Sequence, residues 1–212
     1  GVGSDEEACV RTGSRGRTGK LAASGCANRA VVGEIAGSGC EALRGWLIDT
    51  NVVSELRRAR PAQKVRAFVA GQPGDVLFTS EVTFAEVRFG IEQITDPARR
   101  ADLVQWLDRT LRPLFAGRVL AVTEDALLRW RLMLEVGRKK GHTFSEPDLL
   151  IAALAALADL IVVSRDVSEF IAAEVPVFDP WVWTLHAGGR ADQIGDADMA
   201  DALARATVLI AS

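Results

Sequence analysis

Leu47-Ile48-Asp49-Thr50-Asn51 is the stretch on which the reading of this chain turns. A short apolar run ends abruptly in an acid and two small polar residues, at the point where a helix should begin. A strand that stops this way presents a carboxylate beyond its carboxyl end, and the neighbouring sequence then reads as strand–helix units. Residues 46–49 are a strand, and Asn51 or Thr50 caps a helix that runs through Leu56 and Arg58. Pro61 opens a second helix to about Ala70, Gly71-Gln72-Pro73-Gly74 is a turn, and 76–79 form a second strand. Ser80 caps a helix carrying Val82, Ala85, Glu86, Phe89 and Ile91. A glycine inside it, Gly90, costs about 1 kcal/mol relative to alanine, which suggests close packing against another backbone.

Further along, Pro97 starts a helix with Leu103, Trp106, Leu107 and Leu111 on one face. A third strand, 119–122, leads into Thr123-Glu124-Asp125, the start signal of a long amphipathic helix that Gly141 terminates. Ser145-Glu146-Pro147 begins the next helix, 148–158, whose alanine-rich face can approach a sheet closely. An apolar run at 160–163 has strand length, and 175–178 is expected as the last, edge strand, closed by Pro180. Short apolar strands alternating with helices predict an α/β fold: a mostly parallel sheet with helices on both faces.

In such a sheet, functional groups collect beyond the carboxyl ends of the strands. Asp49 ends the first strand and Asp166, in Val162-Val163-Ser164-Arg165-Asp166, follows the 160–163 strand. Glu86 and Asp148 lie in or at the start of helices that would lean over the same edge. Four acids without a nearby His or Cys point to oxygen ligation of a hard cation, Mg²⁺ or Mn²⁺. Ordinary roles compete: Asp49 as a helix cap, and Asp148 as a first-turn acid favoured by the helix dipole. Glu86, among Phe84, Ala85, Val87 and Phe89, is the least readily explained as a solvated face. Glu169 competes with Asp166 for the fourth place, and Asp166 is favoured. Thr50, Asn51, Ser80 and Ser164 can either hold these carboxylates by hydrogen bonds or cap helices. For phosphate, the best basic groups are Arg57-Arg58-Ala59-Arg60, Arg138-Lys139-Lys140 and Arg165. His142 and His186 read as surface loop residues, and Trp106 and Trp130 as core or dimer contacts.

The order and setting of Asp49, Glu86, Asp148 and Ser164-Arg165-Asp166-Val167-Ser168-Glu169-Phe170 resemble a PIN-domain ribonuclease, most closely the VapC and FitB-like toxins of bacterial toxin–antitoxin pairs. The likeness runs from about Gly45 to Trp183. No single piece is specific, but four pieces in order and spacing are. The resemblance implies a PIN-like three-layer α/β/α sandwich and a Mg²⁺- or Mn²⁺-dependent endoribonuclease. Asp49, Glu86, Asp148 and Asp166 would be its catalytic and metal-binding acids. It further implies a homodimer that a small cognate antitoxin silences. An RNA-processing nuclease without an antitoxin, a DNA nuclease and a non-catalytic binding module are the alternatives.

Composition sets the outer bounds. The 212 residues carry a formal net charge of −3, so net charge alone gives no hint of nucleic-acid binding. Residues 1–44, rich in Gly, Ser, Arg and Thr, lack a sustained period and are expected to be a disordered leader. A weak helix over 29–35 is the strongest local pattern there. The domain is expected over 45–187, with 188–212 an acidic, partly helical tail. Cys9, Cys26 and Cys40 precede the domain without zinc-like pairing. An odd cysteine count, no secretory pattern and no apolar run of membrane-spanning length favour a reduced, cytoplasmic setting without a membrane.

Overall fold

The structure, a computed structural model, describes residues 45–195. The expected leader, its weak helix and the stretch 196–212 lie outside the described residues. At the centre is β1 (Trp46–Ile48), whose three residues are all buried. A strand buried at every residue is covered on both faces, and alternation sorts its side chains between two cores. Trp46 and Ile48 join one core with Leu77, Ile161, Val163 and Phe178, while Leu47 joins the other with Phe78, Val162 and Val177.

Around β1 the chain builds α1 (Thr50–Leu56), α2 (Gln63–Gly71), a 3₁₀ turn (Gly74–Val76) and β2 (Leu77–Ser80). There follow α3 (Glu81–Glu92), α4 (Pro97–Trp106, continued by a π turn at Leu107–Leu111 and by Arg112–Leu114) and β3 (Val119–Leu120). The second half comprises α5 (Glu124–Lys139), α6 (Glu146–Ala158), β4 (Ile161–Val163) and α7 (Val167–Ala172). It closes with β5 (Val177–Asp179), β6 (Thr184–Ala187) and β7 (Arg190–Gln193). Strand order is β3-β2-β1-β4-β5-β6-β7, parallel through β5 and antiparallel for the last two pairings. This is the predicted three-layer, mostly parallel α/β sandwich.

Packing explains why the central strands need no polar residue. Trp46 stands edge-on to Phe68 of α2 at 5.1 Å and meets Phe178 at 5.5 Å, and its indole N–H donates to the Gln72 side chain at 2.9 Å. Aromatic pairs at these separations add about 0.5–1.5 kcal/mol beyond their burial. On the opposite face α6 supplies Ile151, Ala152, Ala153, Leu154 and Ala155, all fully buried, and its alanines let the helix sit close to the sheet.

Several expectations are corrected. Pro61 precedes α2, which starts at Gln63. The strand near 175–178 is not an edge: β5 is followed by a hairpin, so the sheet continues through Gln193, past the expected boundary at 187 and into the segment read as tail. Gly188 and Gly189 both have positive φ, as a two-residue type I′ hairpin turn requires. His186 lies in β6, not in a loop. A Cβ on Gly90 would meet nothing within 4 Å, so close backbone packing does not account for that glycine. Gly137, in α5, is the crowded one, with a Cβ placed 2.2 Å from the Phe144 ring.

These two helical glycines should therefore respond with opposite signs. Gly90→Ala should stabilise by up to about 1 kcal/mol, the helix-propensity difference. Gly137→Ala should destabilise by about 1–3 kcal/mol, because the buried Phe144 ring has to move. Urea unfolding of the two variants reads this directly, and stabilisation by both would mean that the α5–Phe144 packing is looser than described.

Candidate active site

The site begins with the register of two strands. Ile48 pairs with Val163, and the Asp49 N–H donates to the Val163 carbonyl at 3.1 Å, so β1 and β4 end level with each other. The residues just beyond, Asp49 and Ser164, then face each other at the carboxyl edge. Asp49 is the N-cap of α1: one carboxylate oxygen accepts the Thr50 N–H at 2.6 Å and the other accepts the Ser164 hydroxyl at 2.8 Å. The cap is Asp49 itself, which frees Thr50 and Asn51 for other work. Thr50 donates its hydroxyl to Glu86 on α3. Asn51 donates to the Ser164 hydroxyl at 2.8 Å and accepts the Arg165 N–H at 3.2 Å. The Asp166 N–H donates to the same Ser164 oxygen at 3.0 Å. Ser80, by contrast, caps α3 through the Thr83 N–H.

These contacts surround an open pocket of ≈ 380 Å³. Its wall includes Asp49, Glu86, Asp148 and Asp166, the four acids singled out in the sequence. Asp148 reaches it from the first turn of α6, after Pro147. Glu169 is not among the lining residues: it accepts the Ser145 N–H at 3.1 Å and lies 3.7 Å from His142 Nε2. Three lining residues, Ser54, Glu55 and Trp181, were missed in the sequence. Glu55 is buried, accepts the Ala62 N–H at 2.7 Å and pairs with Arg58 at 3.1 Å; its i,i+3 spacing to Arg58 was the available signal. Trp181 lines the pocket beneath Arg165, whose guanidinium lies over its ring at 5.6 Å. Only the aromatic after Pro180 could have pointed to it.

Several of the other candidates have partners of their own outside the pocket. Arg57 lies over Trp106, Arg138 pairs with Glu135, and Lys140 pairs with Glu174. Trp106 and Trp130 pack, partly buried, against the first and second cores.

Electrostatics sets this pocket apart from an ordinary helix-cap cluster. Asp49 is 3% exposed, and burial pushes its carboxyl up to about 7, against the lowering effect of Ser164 and the Thr50 N–H, with Asp148 and Glu86 pushing the same way as burial. Burial also raises Asp148, countered by Ser145 and reinforced by Glu86, Asp166 and Glu169. The carboxylates share a pocket without closing into a ligand shell: among the described residues no three His, Cys, Asp or Glu side chains converge closely enough to hold an ion. Yet the four acids offer only oxygens and repel one another, and of the two arginines on the wall Arg58 is paired with Glu55. That chemistry fits a hard divalent cation, whose charge would reverse the repulsion.

A parallel sheet that gathers acids at the ends of its first and fourth strands, and from helices leaning over that edge, defines an acid-pocket α/β protein. The PIN domain family model matches residues 46–174, and the chain belongs to that family. Over 135 residues it is 33% identical to Toxin FitB of Neisseria gonorrhoeae, spanning 64% of this chain and 97% of the relative. It is 34% identical to VapC ribonuclease Y4jK of Sinorhizobium fredii over the same length, 96% of that protein. Among solved structures, the crystal structure of FitAcB from Neisseria gonorrhoeae superposes with a TM-score of 0.62 at 33% identity, covering 64% of this chain and 98% of the other. VapBC-1 from nontypeable Haemophilus influenzae, at 21% identity and a TM-score of 0.53, shares the fold.

Asp49 makes stability depend on pH in the metal-free protein. Its folded pKa lies above the ordinary 3.8, so its contribution favours the fold below about 4 and is lost as pH rises to about 7. The loss is on the order of 4 kcal/mol at one pKa unit per 1.36 kcal/mol. Calorimetry in chelator should therefore show a lower melting temperature at pH 8 than at pH 5. Asp148→Asn should recover part of the difference by removing one repelling charge. It is a cleaner probe than Asp49→Asn, whose amide would turn an N–H toward the Ser164 hydroxyl hydrogen. Equal melting temperatures at both pH values would show that the buried charge is already compensated.

Proposed function

We propose that this chain is the toxin of a toxin–antitoxin pair, an endoribonuclease that hydrolyses RNA phosphodiester bonds with Mg²⁺ or Mn²⁺. The carrying observation is the buried Asp49, held by Ser164 and the Thr50 N–H in a four-acid pocket, in a chain one-third identical to a FitB toxin and a VapC ribonuclease. Asp49, Glu86, Asp148 and Asp166 would hold the ion or ions. A bound divalent cation supplies neutralisation of phosphate charge and activation of water.

The chain's own groups set the geometry for this chemistry. Ser164 and the Thr50 N–H fix both oxygens of Asp49, and the Thr50 hydroxyl fixes Glu86. Such outer contacts hold ligating carboxylates in one orientation. Arg58 is drawn toward Glu55, leaving Arg165 as the cation at the rim for substrate phosphate. A homodimer silenced by a small antitoxin fits the same reading, in a chain similar to Toxin FitB. Among the described residues no helix is long and apolar enough to cross a membrane.

Induction of the chain alone should arrest growth, and co-expression of the neighbouring small protein should restore it. Asp49→Asn and Asp148→Asn should each lower RNA cleavage by at least about 100-fold, a typical loss for a group that supplies transition-state charge stabilisation. Chelation should abolish cleavage, and Mg²⁺ or Mn²⁺ should restore it. Glu86→Gln should be harmless to cells. A wild type that cleaves RNA in vitro but leaves growth unaffected would replace this reading with an RNA-processing nuclease. Arrest by Glu86→Gln as strong as by the wild type would place toxicity in binding and end the enzyme reading.

A further inference from the structure

Beside the acids, the pocket rim carries a pair, Arg165 and Trp181, that offers more than a contact to phosphate. Arg165 is exposed, lies over the Trp181 ring at 5.6 Å and makes no ion pair among the described residues. Its backbone is fixed by Asn51, and Trp181 packs partly against the core below. The loop that carries Trp181 is built rather than loose. The Asp179 side chain accepts the N–H groups of Trp181 at 2.8 Å and Val182 at 3.4 Å. Trp183 then adopts φ 60°, a left-handed conformation unfavourable for a bulky residue. It is held there by hydrogen bonds from its N–H to the Asp179 carbonyl and to its carbonyl from the Ile194 N–H. A strained loop, its backbone held by hydrogen bonds at Trp181, Val182 and Trp183, that delivers one indole to the lip of a pocket is the kind of construction that marks a ligand contact.

On these grounds, and resting on the ribonuclease reading, we propose that Arg165 and Trp181 form a base-binding subsite for a nucleotide of single-stranded RNA flanking the scissile phosphate. The guanidinium lies over the indole at 5.6 Å, and the base stacks against the exposed side of this pair. The positive charge lies close to the phosphate backbone that enters the acidic pocket. Unpaired bases stack on guanidinium planes and aromatic rings with little dependence on their identity, because every base has a π-face. The subsite therefore recognises an unstacked base rather than a particular sequence, and it selects single strands over duplexes.

The test measures binding of a single-stranded RNA decamer, and of copies with an abasic nucleotide at each position in turn, to the full chain carrying Asp148→Asn to prevent turnover. At one position the abasic copy should bind about tenfold more weakly, within the range for loss of one stacked base. Adding Trp181→Leu or Arg165→Lys should weaken intact RNA by about the same factor and erase the sensitivity at that position. Trp181→Phe should retain it. Because Arg165 is exposed, Arg165→Lys keeps the test open should Trp181→Leu fail to fold. Undiminished affinity for intact RNA in a folded variant, or persistent sensitivity at the same abasic position, overturns the subsite while leaving the ribonuclease reading in place. If the folded wild type neither binds nor cleaves RNA, the ribonuclease reading falls and the subsite with it.

Discussion

A single hydroxyl, that of Ser164, ties the pocket together. It has one proton to give and two lone pairs to offer, and all three are used: it donates to Asp49 and accepts from Asn51 and from the Asp166 N–H. With both acceptor positions filled, its proton has only the carboxylate to point toward. Three segments are thereby locked at one atom, the end of β1, the first turn of α1 and the exit of β4. None of this would be in reach without the parallel register that pairs Ile48 with Val163. The site is in this sense a consequence of strand pairing, and the pairing is in turn fixed by two cores that between them claim every residue of β1.

Against that order stands a charge the fold does not fully accommodate. Asp49 at the start of α1 and Asp148 in the first turn of α6 both occupy positions where the helix dipole favours a negative side chain. Two hydrogen bonds further assist Asp49. Burial and neighbouring acids still raise its carboxyl to about 7. Were Asp49 only a cap, an exposed position would serve as well and cost less. Retaining a buried carboxylate among others sacrifices stability at neutral pH, the usual sign that a position is kept for chemistry rather than for folding.

The legible parts were those where pattern and chemistry coincide. Short apolar runs with an acid just beyond them, Asp49 and Asp166, marked β1 and β4, and Ser, Thr or Pro with flanking acids marked the starts of α3, α4, α5 and α6. The four acids could be grouped because a parallel sheet has only one carboxyl edge. Other features were hidden for physical reasons. Asp49, Thr50 and Asn51 are all competent caps, so which one caps depends on the partners Ser164 and Glu86, which are distant in sequence. Glu55 looks like a solvated helix acid until the Ala62 N–H and Arg58 turn it inward. Gly90 and Gly137 are indistinguishable as letters, and only Phe144 separates them. The β6–β7 hairpin was missed because β7 is largely exposed and its residues are polar or small; Gly188-Gly189, flanked by residues of strand length, was the cue.

That hairpin joins edge protection to the shape of the site. Without it β5 would end the sheet as a buried, apolar strand with unpaired backbone groups, a template for unwanted pairing. With it the edge moves to β7, four residues long and carrying Arg190 and Asp192, which suits an exposed edge far better. The hairpin also inserts Leu185 and, through the strained turn, Trp183 into the first core beside Phe178. The turn that enters β6 is the one that sets Trp181 against Arg165. The PIN domain match stops at residue 174, before β5, so the segment that closes this sheet also shapes the pocket rim from outside the matched region. Change in that segment is consequently constrained on one side by the core and open on the other, at the surface where a substrate would be distinguished.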